Sequence, residues 1–306
     1  MKKILLLILL SFVVIVSVGG NSLKAAENEI KFGILPAKPS IPIIIAQEKG
    51  FFKKEGLDIE VIPFTSPNER NAAVLSGQID GSIADIMTTL TFRKNKIDVI
   101  ITSDINEDFE LLVSPNTEVN SVKELDGKTV SLVPGFVLEY IMDEMAEADN
   151  INYDIVTIPS FSGRFELLLA NKIDSVIFTE PQASMLAAKG AKKIANAKDY
   201  DLKAGTIQFN QEVLSKKPEK IKAFYNAYNK AIDYLNNTEA EKYSSSLKNY
   251  GFPQAITKFL GGKNEYDKAG KISSKGFNSV LEWCKAKGNI KNNYSLKEVS
   301  NFKYVV

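Results

Sequence analysis

The chain has no histidine and one cysteine, Cys284, among 306 residues. Without histidine it lacks the commonest general base near neutral pH and the commonest nitrogen ligand for a metal. A single thiol cannot close an intramolecular disulfide. An excess of charge of either sign is missing too: 38 Lys and Arg face 37 Asp and Glu, for a net charge of +1. Such a balance gives no reason to expect nucleic acid or an anionic bilayer as partner. Phosphate-loop motifs are absent, since GGKN (261–264) lacks both the upstream Gly and the Ser/Thr that the P-loop pattern needs. There is no G-x-S-x-G elbow, and no His/Cys/carboxylate cluster has metal spacing. No cofactor and no metal are expected.

Long hydrophobic runs occur only at the N-terminus. Lys2 and Lys3 precede an apolar stretch over 4–18, broken only by Ser11 and Ser17. It is shorter than the roughly 20 residues that span a bilayer. Small residues follow: Gly19, Gly20, Ser22, Ala25 and Ala26. Residues 1–26 therefore read as a cleavable secretory signal peptide, with an uncleaved membrane anchor as the alternative. VSVGGN (16–21) has the shape of a lipoprotein box, with Asn21 where the acylated Cys would stand. The mature chain is expected to be a soluble monomer, periplasmic or otherwise extracytoplasmic. Its 44% hydrophobic and 25% charged residues are those of an ordinary globular protein, long enough for two modest domains.

What the mature chain does contain is a coarse repeat. IKFGILP (30–36) is matched by KTVSLVP (128–134), DIEVIP (58–63) by DIVTIP (154–159), and LSGQIDGSI (75–83) by LANKIDSVI (169–177), in the same order and at nearly constant spacing. The segments between them carry helix signals. IPIIIAQEKG (41–50) ends at Gly50, a natural left-handed C-cap, and Phe51 and Phe52 are placed to pack that end onto the sheet. SPNERNAAVLSG (66–77) opens with Ser, Pro and Glu at N-cap, N1 and N3. FVLEYIMDEMAEA (136–148) and RFELLLANK (164–172) fill the same slots in the second unit. Each unit reads β-α-β-α-β, which implies a parallel sheet with right-handed crossovers. Residues 97–114 read as two strands leaving the first unit, and AGTIQF (204–209) as a strand returning. PEKIKAFYNAYNKAIDYLNN (218–237) puts Ile221, Phe224, Tyr228, Ala231, Ile232 and Leu235 on one helical face. The expected fold class is α/β with two lobes: residues 27–114 plus 209–306 form the first, and residues 115–208 the second. The lobes are joined by crossing segments near 113–118 and 200–208, and the helical tail returns to the first lobe.

In open α/β sheets ligands bind beyond the carboxyl ends of the strands. Here those ends are 36–42, 63–68 and 84–86 in one unit and 134–138, 159–164 and 178–181 in the other, so all six loops face one cleft. Several open a helix with a capping residue: Ser40 before Pro42, Ser66 before Pro67, Asp85 before Ile86, Thr179 or Glu180 before Pro181. Helix N-termini offer free N–H groups and partial positive charge. Ser66, Asp85 and Thr179 read either as plain caps or as ligand contacts. Phe64 and Phe161 follow the matched strand ends, and Phe136 follows Gly135, where backbone can approach a ligand. These three rings read either as core or as stacking surfaces. Thr65 and Ser162 share the loops; Lys38, Arg164 and Glu180 are the charged candidates.

The strings IIIAQEKGFFKKEGLDIEVIPF and LSGQIDGSIAD, with SVKELDGKTVSLVPG (121–135), LLANKIDSVIFTEPQASMLAAKG (168–190) and KKPEKIKAFYNAYNKAIDYL (216–235), resemble the solute-binding proteins of ABC importers for nitrate, sulfonates, taurine and thiamine-pyrimidine precursors. The resemblance runs over about residues 29–240. It implies a type 2 periplasmic-binding fold, two α/β lobes joined by two hinge segments, with a small-molecule cargo in the interlobe cleft and an ABC permease as partner. Some members of the wider group are enzymes; the pyrimidine synthase it resembles depends on histidine, which this chain lacks. The alternative is an exported enzyme on the same scaffold, with Asp85 or Glu180 for acid–base chemistry. The cargo expected is a small organic molecule with a planar or apolar part, rather than nitrate.

Overall fold

The computed structural model describes residues 29–260 and 265–305. The expected signal peptide and the Asn21 position lie outside the described residues. The first unit runs Ile30–Ile34 (β1), Ile41–Glu48 (α1), Ile59–Pro63 (β2), Pro67–Leu75 (α2), Gly81–Asp85 (β3) and Ile86–Lys94 (α3), then Val99–Asp104 (β4). After Phe109–Val113 (β5) comes the second unit: Lys128–Leu132 (β6), Val137–Asp149 (α4), Tyr153–Thr157 (β7), Phe161–Leu169 (α5), Ser175–Thr179 (β8), Gln182–Ala187 (α6) and Lys192–Asn196 (β9). Gly205–Asn210 (β10), the long helix Pro218–Asn236 (α7) and Ser274–Ala286 (α8) follow.

The repeat is visible in the strand order. One sheet is β2-β1-β3-β10-β4 and the other β7-β6-β8-β5-β9. The first three strands of each are parallel, and the fourth is antiparallel to both neighbours. That fourth place is filled in each sheet by a strand arriving from the other: β5 enters just after β4, and β10 just after β9. The central strands β3 and β8 are buried at every residue, as expected for strands covered by helices on both faces.

The crossings thus fall earlier than the composition indicated. Residues 109–113, expected in the first lobe, pair with β8 and β9, so the first crossing is 105–108 and not 113–118. Residues 205–208, expected in the second lobe, pair with β3 and β4. An apolar strand reads the same in either sheet, so only the pairing partner fixes its lobe.

Helix ends follow local chemistry. Gly50 sits at φ +66, and α1 stops there as expected. The chain then makes one more helical turn over Phe51–Lys54 instead of entering the strand directly. Phe52 stacks on Phe224 at 5.4 Å and Phe51 meets Tyr234 edge-on, so both pack on α7, in the same core as Phe32 and Ile59 of the sheet. The predicted apolar face of α7 is buried. The rest of the tail differs from expectation. Helix α8 packs on α3 of the first lobe and also on α4 of the second. Phe277, Val280, Trp283 and Cys284 share one core with Leu90 and Ile141.

Candidate functional site

The carboxyl ends of both sheets meet at one apolar cleft, with an empty volume of about 760 Å³ including its open mouth. Its walls come from both lobes. Leu35, Ile83 and Ile105 face Val133, Phe136 and Phe178, and both arginines, Arg70 and Arg164, line it. The lobes touch around it. Lys38 N–H donates to Glu180 O at 3.0 Å, Val137 N–H donates to Asp85 Oδ2 at 3.3 Å, and Gln182 Nε2 donates to Pro36 O.

Of the candidates named from sequence, Ser40, Asp85, Phe136, Phe161, Arg164 and Thr179 line this cleft. Ser40 stands at the start of α1, but its hydroxyl donates back to Leu35 O at 2.6 Å instead of capping the helix. Asp85 does cap α3, accepting Thr88 N–H at 2.7 Å on Oδ1 while its Oδ2 takes Val137 N–H from the other lobe. For the helix after Pro181 the sequence offers Thr179 or Glu180 as the cap: Pro181 itself holds the cap position, Glu180 Oε2 accepts the first-turn N–H of Ser184 at 3.0 Å, and Thr179 Oγ1 is buried with no hydrogen-bond partner among the described residues.

The other candidates are engaged elsewhere. Ser66 caps α2 by accepting Glu69 N–H, and Thr65 is tied to Glu69 through both its N–H and its hydroxyl. Phe64 packs in a satellite cluster with Ile79. Ser162 is exposed. Gly135, at φ +83, gives its N–H to Glu139 Oε2. Lys38 is buried beside Glu265 at 3.5 Å and lines a separate polar cavity. Glu180 lines that cavity too, where it pairs with Lys193 at 2.6 Å and accepts from Ser184. Asp85 and Glu180 thus do not share a cavity.

Arg70 is the residue that sequence reasoning missed, although the repeat contains it. Ser66 and Ser160 cap matched helices, accepting N–H from Glu69 and Gly163. Arg70 and Arg164 follow at the same place in each helix, 94 positions apart, the same offset as LSGQIDGSI and LANKIDSVI. Both are 2% exposed. Arg70 spends three of its five N–H donors, one on Ile83 O and two on Asn71 Oδ1. Arg164 lies 5.0 Å from the Phe161 ring and 5.2 Å from Phe178. Its Nε is buried with no partner among the described residues. Burial pulls each guanidinium down to about 10, opposed for Arg70 by Asp85, so both stay charged at neutral pH.

The NMT1/THI5 like family model matches residues 38–241, and the chain belongs to that family. It is 25% identical over 272 residues to the 4-amino-5-hydroxymethyl-2-methylpyrimidine phosphate synthase THI5 of Saccharomyces cerevisiae, covering 83% of this chain and 79% of that one. It is 23% identical over 219 residues to the putative binding protein YtlA of Bacillus subtilis, covering 68% of this chain and 66% of that one. Among solved structures it is similar to the alkanesulfonate-binding protein SsuA from Xanthomonas axonopodis pv. citri bound to MOPS, with TM-score 0.78, 15% identity and coverage of 90% and 98%. It is also similar to the periplasmic nitrate-binding protein NrtA from Synechocystis PCC 6803, with TM-score 0.73, 14% identity and coverage of 90% and 86%. These likenesses establish the periplasmic-binding-protein fold. Among the described residues no helix is long and apolar enough to cross a membrane.

Proposed function

We propose that the protein is an extracytoplasmic solute-binding protein that closes its two lobes on a small organic molecule and delivers it to an ABC-type permease. The lobes are residues 29–104 with 205–260 and 265–305, and residues 109–196; residues 105–108 and 197–204 are the hinge segments. The observation that carries this reading is the apolar cleft built from both lobes at the carboxyl ends of their strands. Closure sequesters a ligand there, and the bound molecule selects the closed state. Cargo contacts come from the six candidates that line the cleft, with Arg70 added. The synthase relatives raise catalysis as the alternative. Against it, Asp85 is occupied by two backbone N–H groups and Glu180 by Lys193, so neither is placed as a free base. Native mass spectrometry of freshly purified protein should show a small-molecule adduct. That molecule, added back to stripped protein, should raise Tm and be recovered unchanged; its conversion to a product would overturn the binding reading.

A further inference from the structure

Consecutive carboxylates of the first hinge segment tie it to the second at two different places. Asp108 turns toward the second lobe, accepting Asn196 Nδ2 at 2.7 Å and pairing with Lys198 at 2.8 Å. Glu107 turns toward the first lobe. Its Oε1 accepts Ala204 N–H at 2.7 Å and its Oε2 accepts Gly205 N–H at 2.9 Å. The approach is too close for a side chain, since a Cβ on Gly205 would stand 2.5 Å from Glu107 Oε2 and 2.3 Å from Ile105 Cδ1. Ile105 and Gly205 also line the apolar cleft.

The residues beside Glu107 are anchored on opposite lobes. Asn106 exchanges two hydrogen bonds with Asp267 of the first lobe, and Asp104 Oδ1 accepts Gly270 N–H at 2.8 Å. Asp108 is bound to Asn196, the last residue of β9 in the second. A rotation of one lobe against the other is therefore absorbed at Glu107, the residue between the two anchors. That rotation carries its carboxyl off Ala204 and Gly205 and toward water.

Glu107 turns part of its surface to a polar cavity, yet burial is the largest influence on its carboxyl and raises it to about 7, against Lys203 and the two N–H groups. Lys203 pairs with Asp104, whose charge works in the same direction as burial. Across the cavity Lys38 pairs with Glu265, Lys198 with Asp108 and Asp201 with Lys275, and Asp267 closes the wall. Tyr140 faces the group from α4, and burial raises its phenol, so it stays neutral. Asp108 behaves differently from its neighbour. Burial opposes its charge, but Lys198 and Asn196 outweigh burial and hold it below its ordinary value.

We propose that Glu107 is a positioning residue for lobe closure: its protonated carboxyl holds the two hinge segments together and its carboxylate releases them, while Asp108 remains tied as the pivot. This rests on the cleft-binding reading above. A proton on Oε2 leaves Oε1 to accept from Ala204 and removes the cost of a buried anion. Parting the segments hydrates the carboxyl and returns it toward 4.5, so the closed arrangement binds the proton more tightly. The preference for closure is complete below about 4.5 and is lost as pH rises through 7.

The test uses the purified protein freed of bound small molecules. Small-angle scattering should give a larger radius of gyration at pH 8 than at pH 5. Full hydration on parting sets a ceiling of about 70-fold on the rise in the open-to-closed ratio between those values, from the difference between 4.5 and about 7. Glu107→Gln, a neutral mimic of the protonated group, should be as compact at pH 8 as the parent at pH 5. In NMR spectra the backbone amides of Ala204 and Gly205 should titrate together with a midpoint near 7 in the parent and stay still in Glu107→Gln. The parent spectra alone keep the proposal falsifiable where the variant does not fold. Amides that do not titrate near neutral pH, amides that titrate while the parent keeps constant dimensions, or a scattering response that survives in Glu107→Gln would each overturn it. Neither measurement uses cargo, so such a failure is distinct from failure of the cleft-binding reading, which the co-purified molecule tests.

Discussion

Individual side chains separate into those the fold needs and those the cleft uses. Cys284 belongs to the first kind: it is buried in the core shared by both lobes, and burial pushes its thiol up to about 12. A thiol so protonated is a poor nucleophile, so we expect Ellman's reagent to find no reactive group until denaturant unfolds the protein. Rapid labelling of the native state would contradict this. The three phenylalanines singled out from sequence divide between the kinds. Phe136 and Phe161 line the cleft, while Phe64 packs on Ile79 in a satellite cluster. Phe136→Ala and Phe161→Ala should lower ligand affinity by about 1–3 kcal/mol, as for a ring stacked on a planar base, with little change in Tm of the empty protein. Phe64→Ala should lower Tm, by less than the 3–5 kcal/mol of a fully buried ring, and leave affinity intact. Calorimetry and thermal melts on the three variants decide it. The rings were legible as a set because matched strand ends pick them out. Which of them turns toward the cleft was not, because an aromatic one residue past a strand end is compatible with either side. Arg70 was legible in principle, through the offset of the repeat, but a lone arginine inside SPNERNAAVL looks like any exposed helical charge until its burial is known.

At the scale of elements the repeat carried most of the information. Strand and helix order in both units followed from matched blocks and caps, since a capping Ser and an apolar period are local properties. The swapped fourth strand and the double role of α8 were hidden, because both depend on partners far away in the chain. Helix α8 joins the lobes beside the second hinge segment. Trp283 Nε1 donates to Asp143 at 2.8 Å, Tyr140 and Ser279 share a hydroxyl contact at 2.9 Å, and Lys287 pairs with Glu139 at 2.6 Å. Lys275 reaches Asp201 in the hinge segment itself. Within the hinge, Glu107 accepts the N–H groups of Ala204 and Gly205 and so staples one crossing segment to the other. Burial raises this carboxyl from 4.5 to about 7, partly offset by Lys203. The folded protein thus keeps this proton to a higher pH than the unfolded chain. The group's contribution to stability is present below about 4.5 and is lost as pH rises through 7. Urea unfolding at pH 5 and pH 8 should show that loss in the parent, and Glu107→Gln should flatten it. An identical pH difference in both would exclude Glu107 as the titrating group.

For the whole molecule, two ties act in opposite directions on the cleft. The interlobe hydrogen bonds from Lys38, Val137 and Gln182, with α8 beside the hinge, favour the lobes being together. The two guanidinium groups oppose it, because burying each of them in an apolar wall desolvates a cation, a cost that a ligand in the cleft would offset. A ligand can shift such an equilibrium only by its differential affinity for the two states, and a molecule held by both lobes has affinity chiefly for the closed one. The empty protein should therefore sample open states, and small-angle scattering should show a smaller radius of gyration once a bound ligand saturates it. Removing the two buried charges should mimic part of that effect. The double variant Arg70→Gln/Arg164→Gln is expected to have a smaller radius of gyration than the parent in the absence of any ligand, and to respond less than the parent to the co-purified molecule. Sodium chloride should narrow the difference between the empty parent and the variant less than it would for surface charges, since buried charges are poorly screened. A double variant as extended as the empty parent would show that the arginines do not hold the lobes apart, and would shift the origin of the open state to the hinge segments and α8.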